Sequence, residues 1–171
     1  MTAVESLLAR IQAAGADFEA LRPAVEAGAP WPLDARFSEE PEANWGPPEV
    51  LAHVTEMLPY WLGEIERVLS GAPEPVPFGR LPSDPVRIAI IGRDRTVPLR
   101  ELQARIVAGA ARYAARVPEL SPAQAYRRGL HPTRGEMTVA DMIESFVAAH
   151  MEGHVVQLRS IIGTGGQAAA G

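Results

Sequence analysis

The chain has 171 residues, which suits one domain and is enough to bury a core without covalent staples. It contains no cysteine, which excludes disulfides, thiolate metal sites and a Cys nucleophile. Its net charge of −5 excludes a basic nucleic-acid footprint over the whole domain, and no apolar run approaches the ~20 residues of a membrane span.

Residues 3–27 read as a first helix, with Val4, Leu8, Ile11, Phe18, Leu21 and Val25 at helical spacing until Gly28 and Pro30 stop it. Pro30, Pro32 and Pro41 make 28–46 a loop. A second helix starts at Pro47-Pro48-Glu49, where proline costs no backbone hydrogen bond. Leu51, Val54, Leu58, Leu62, Ile65 and Leu69 form its apolar face; Pro59 predicts a kink inside it, and Gly71 ends it. Residues 71–97 are a proline-rich crossover in which 86–91 forms a turn or two of helix, because no second strand pattern is available to pair with it. The third helix covers 98–117, with Thr96 as its expected cap. Residues 118–137 are a second connector, and the fourth helix opens at Thr138 with Asp141 three residues on. It is expected to reach Ile162. Residues 1–162 thus form a single domain, an all-α four-helix bundle with long crossover connections, and 163–171 form a flexible tail.

His150 and His154 lie four residues apart, so they stack on one face of the last helix. At ~100° per residue they fall in the stripe of Val139, Ile143, Phe146, Val147, Gln157 and Ile161, pointing inward. Buried imidazoles need partners for their nitrogens. Core hydrogen bonds supply them in one reading, and a shared metal ion supplies them in the other. His53, near the start of the second helix, sits on the shoulder of its apolar stripe, and taken alone it reads as a boundary residue.

Three segments together resemble the DinB-like family, in order along the chain. They are Trp45-Gly46-Pro47-Pro48-Glu49-Val50-Leu51-Ala52-His53, then His131-Pro132-Thr133-Arg134-Gly135, then His150 and His154 followed by Gln157-Leu158. The resemblance implies a four-helix bundle with a three-histidine divalent-metal site, zinc or nickel, at His53, His150 and His154. It also implies a homodimer, and in some relatives transfer of low-molecular-weight thiols such as bacillithiol or mycothiol. His131 matches a connector position and not a ligand position.

Three neutral imidazoles leave room at a metal for water or substrate. With no cysteine in the chain, a reactive thiol has to arrive as a cosubstrate. Tyr60 and Glu56 are candidate catalytic residues, two turns and one turn after His53. Arg127, Arg128 and Arg134 are candidate binders of an acidic cofactor. Met57, Phe146 and Val147 are expected to give the pocket apolar walls. Three functions stay open: a metal-dependent thiol transferase, a metal-dependent hydrolase, and a metal-binding stress protein without catalysis. The expected partner is a small molecule, without nucleic acid or membrane. A start without the basic-then-apolar pattern of a signal peptide makes the cytoplasm the expected location.

Overall fold

The computed structural model describes residues 3–168. Four long helical elements carry the core: α1 (Ala3–Ala20), α3 (Pro47–Ser70), α5 (Leu99–Arg116) and a last composite helix. That last helix is α7 (Val139–Ile143), a π-helical turn (Glu144–Ala148) and α8 (Ala149–Ala168). Between the long elements lie the short helices α2 (Arg22–Ala27), α4 (Pro85–Asp94) and α6 (Pro122–Ala125). Helix α1 packs on α5 and α8, and α3 packs on the same two partners. The second long helix therefore stands diagonally across the bundle from the first, which requires crossing connections. The fold is a four-helix bundle, as the amphipathic periodicity predicts.

The local chemistry explains most boundaries. Helix α3 begins at Pro47 and runs unbroken through Pro59 to Ser70. Its buried face includes Leu51, Val54, Leu58 and Ile65, which pack in one core with Phe18, Ile106, Tyr113 and Met142. Tyr113 satisfies its buried hydroxyl by donating to the Leu58 carbonyl at 2.8 Å. Thr138 caps α7 with a reciprocal box: its side chain accepts from Asp141 N, and Asp141 returns the bond to Thr138 N.

Several expectations are corrected. The first helix breaks at Leu21, ahead of Pro23, because proline lacks the N–H that would continue the ladder. Thr96 does not cap the third helix; Pro98 holds that position, and the Thr96 hydroxyl donates back to Arg93 O. Residues 86–91 belong to α4, whose ten residues are longer than the turn or two expected. Its N-cap is Asp84, which accepts from Arg87 N. A small sheet also exists: β1 (Val76–Pro77) pairs parallel with β2 (Arg128–His131), which pairs antiparallel with β3 (Gly135–Thr138). Strands this short leave no periodicity to read, and β1 and β2 lie about fifty residues apart in the chain. Helix α8 continues through Gly163 to Ala168, past the expected end at Ile162; residues 169–171 lie outside the described residues.

Candidate metal centre

His53 projects from α3 and is buried, on a position that the helical wheel assigns to a shoulder. The neighbouring chain supplies the cover: Trp45 packs edge-on against the imidazole at 5.7 Å, and Arg87 of α4 closes over the Trp45 ring. His150 and His154 project from α8 directly after the π-helical turn. Such a turn inserts a residue into the helical register and so re-aims everything that follows it. His154 is buried, while His150 keeps a partly open side chain facing a cavity.

The three imidazoles converge. His53 Nε2 lies 3.0 Å from His150 Nε2. A carboxylate joins them: Glu42 Oε2 stands 3.6 Å from His53 Nε2, 3.5 Å from His150 Nε2 and 3.8 Å from His154 Nε2. One ligand atom from each of these four residues lies within 4.8 Å of the other three. Tetrahedral zinc with ordinary Zn–N and Zn–O lengths separates its donors by about 3.3–3.4 Å. The four distances just given, 3.0 to 3.8 Å, bracket that value. His154 Nε2 is buried without any hydrogen-bond partner. A buried acceptor with nothing to accept from is costly, and a cation among these four residues removes that cost.

Neighbouring groups set the orientation of His154 and Glu42. Gln157 Nε2 donates to Glu42 O at 2.8 Å and to Trp45 O at 3.3 Å. Its Oε1 therefore faces His154 Nδ1, at 2.9 Å. That contact needs the proton on Nδ1, so Nε2 presents its lone pair to the centre. Arg87 donates to Pro82 O and to Glu42 Oε1, pinning one carboxylate oxygen and leaving Oε2 toward the histidines. Glu49 is fully buried and anchors the loop that carries Glu42: its Oε1 accepts from Asp34 N at 2.9 Å and from Arg95 at 3.1 Å.

Electrostatics follow from burial. Desolvation, aided by its two histidine neighbours, holds His53 well below the ordinary imidazole range. Desolvation also lowers His154, with His150 adding to it, to about 4. Burial works to raise the Glu42 carboxyl, but the His150 hydrogen bond and the Arg87 charge outweigh it and keep the carboxylate ionised. Burial thus keeps His53 and His154 neutral beside an ionised Glu42, which suits a divalent ion.

The other candidates separate. Glu56 and Tyr60 do not line the histidine cavity; they line a neighbouring one of about 750 Å³. Arg80 lies between the two cavities. It bonds both Glu56 oxygens at 2.6 Å and covers the Tyr60 ring at 3.6 Å. Arg127 bonds Gly71 O, and Arg128 pairs with Glu136 at 2.9 Å; neither lines the histidine cavity. Arg134 does, and Phe146 lines it as well. Met57 and Val147 are fully buried in the core and line none of it. His131, in β2, lines the cavity; its Nδ1 accepts from Thr133 N and Arg134 N at 3.3 Å. It stacks on Phe146 at 5.2 Å. Gly79 (φ +86°) packs on this ring, and an added Cβ there would lie 2.4 Å from His131 Cδ2.

Sequence reasoning misses Glu42, Arg80 and Arg87. All three come from proline-rich connectors or the short α4, where no periodicity points at a site. An Arg in the first turn of a helix capped by Asp84 carries no distinguishing signal.

No protein-family model matches the chain, and no curated protein matches it. A solved structure does. YfiT from Bacillus subtilis, described as a probable metal-dependent hydrolase with an unusual four-helix bundle topology, superposes with a TM-score of 0.68 at 15% sequence identity. The match covers 92% of this chain and 85% of that one. At that identity the likeness establishes the shared fold. Among the described residues, no helix is long and apolar enough to cross a membrane.

Proposed function

We propose that this protein is a metal-dependent hydrolase of small molecules, with one divalent ion held by His53, His150 and His154 and with Glu42 as the fourth group of the centre. The observation that carries this reading is the convergence of three imidazole Nε2 atoms and Glu42 Oε2 around one point, with His154 Nε2 otherwise unpartnered. The fold shared with YfiT and the DinB-like motifs of the sequence support it.

A divalent ion at such a site acidifies a water toward neutral pH and polarises a carbonyl oxygen. The chain's own residues do the rest. Gln157 holds His154 in the Nδ1–H tautomer. Glu42 Oε2 faces the three imidazoles while Arg87 fixes Oε1, so a water entering the centre would give its proton to that oxygen. The apolar wall at Phe146 and Trp61 excludes bulk water from one side of the cavity.

The thiol-transferase reading rests on a site of neutral ligands, where an uncompensated dication attracts an anionic sulfur. Glu42 weakens that argument, because its carboxylate already brings a negative charge to the centre. Hydrolysis is therefore the preferred reading. Zinc or nickel as the metal, a homodimer and the cytoplasm belong to the same proposal, on the DinB-like resemblance and the composition. The test is turnover of a panel of activated esters and amides by zinc- and nickel-loaded protein, with and without added thiol. The proposal expects metal-dependent turnover with water alone. Turnover that requires the thiol returns the reading to transfer, and no turnover with tightly held metal returns it to a binding protein.

A further inference from the structure

The cavity that reaches the histidines measures about 530 Å³. Three arginines line it, and their charges are not equivalent. Arg80 is neutralised by Glu56, and Arg87 by Glu42. Arg134 makes no ion pair among the described residues. Its guanidinium stands over the Phe146 ring with Cζ 4.7 Å from the centroid. The β2–β3 turn fixes its backbone, through Arg134 N donating to His131 Nδ1 and through Gly135 at φ +77°. The cavity thus ends in one pre-positioned, uncompensated cation. Leu81, which lines the same cavity, leaves 45% of its surface exposed.

We propose that this cavity binds a carboxylate monoanion with an apolar body. Its carboxylate docks on Arg134, its body lies against Leu81 and the edge of Phe146, and its hydrolysable bond reaches the histidine centre. Only this last clause rests on the function proposed above. A single free guanidinium offers a planar fork that matches a carboxylate. Arg80 and Arg87 are already paired, so one carboxylate finds one free guanidinium. The cavity has the volume of an ordinary small-molecule site.

The experiment is a calorimetric titration of phenylacetate and of its neutral isostere phenylacetamide. It is run on wild type, Arg134→Gln and Arg134→Lys, each zinc-loaded and each stripped with chelator. The expected result is that phenylacetate binds about tenfold tighter than the amide in both metal states. Arg134→Gln should erase that difference without changing amide affinity or melting temperature, and Arg134→Lys should restore part of it. Three results overturn the proposal: no binding of phenylacetate, equal affinity for the two ligands in wild type, or a preference that survives Arg134→Gln. A preference that vanishes with zinc and ignores Arg134 puts the carboxylate on the ion; it overturns this inference and leaves the metal centre standing. An Arg134-dependent preference in protein that retains no zinc does the reverse.

Discussion

Gln157 Oε1 lies 2.9 Å from His154 Nδ1, and the amide cannot turn round, because its Nε2 is engaged by the carbonyls of Glu42 and Trp45. One side chain therefore fixes the tautomer of a histidine and ties α8 to the loop that carries Glu42. Removing it takes away the hydrogen bond that makes His154 Nε2 a lone-pair donor. Gln157→Ala should weaken zinc affinity about 10- to 100-fold while leaving the helical circular dichroism unchanged. A chelator competition titration measures this, and unchanged affinity would show that the contact does not orient a ligand.

Arg87 acts through Glu42. It is buried at 5% exposure, and its guanidinium holds Glu42 Oε1. Arg87→Met keeps the apolar stem and removes the fork. The expected outcome is a lower kcat on activated esters with retained metal, because the carboxylate loses its fixed orientation. Glu42→Gln should lower kcat as well, and the double variant should be little worse than either single one, since both changes remove the same carboxylate function. Additive losses in this cycle would separate the two residues.

Metal-free protein should lose stability in mild acid. His53 is held well below the ordinary range by burial, and His154 is brought to about 4 by the same cause. In the unfolded chain both titrate near ~6.5. Between those values the unfolded state binds more protons, so stability rises with pH. The contribution is complete above ~6.5 and is lost as the pH falls toward about 4. Melting temperatures of chelator-treated protein from pH 7.5 to pH 4.5 should therefore decline, and more gently in His154→Gln. A flat profile in the wild type would contradict the burial of these two imidazoles.

Gly79 supports the cavity wall. Its φ of +86° and its contact with the His131 ring both exclude a side chain. Gly79→Ala should cost about 1–3 kcal/mol, read as a lower midpoint in urea with an unchanged slope. A neutral substitution would mean that the connector shifts freely.

The sequence carries the bundle clearly and the site in part. Long amphipathic stretches such as Leu51–Ile65 declare α3, and His150 and His154 at a four-residue spacing declare a paired face. The inward position of His53 does not follow from its own helix, because Trp45 and Arg87 bury it from outside the α3 wheel. The π-helical turn at Glu144–Ala148 is invisible to a uniform 3.6-residue period, yet it sets where Phe146 and His150 point. Glu42 is one carboxylate among many in a proline-rich loop. Tertiary bonds to Arg87 and Gln157, on a loop anchored by Glu49, bring it to the histidines. Tyr60 and Glu56 follow His53 at helical spacing, but Arg80 draws both to a different cavity.

The central claim is that a divalent ion sits among His53, His150, His154 and Glu42. Elemental analysis after zinc or nickel loading and exhaustive dialysis tests it most directly, on wild type and on His53→Ala, His150→Ala and His154→Ala, each checked for folding by circular dichroism. The account predicts one equivalent of metal in the wild type and near-complete loss in all three folded variants. A wild type that retains no metal, or variants that retain it undiminished, would contradict the site.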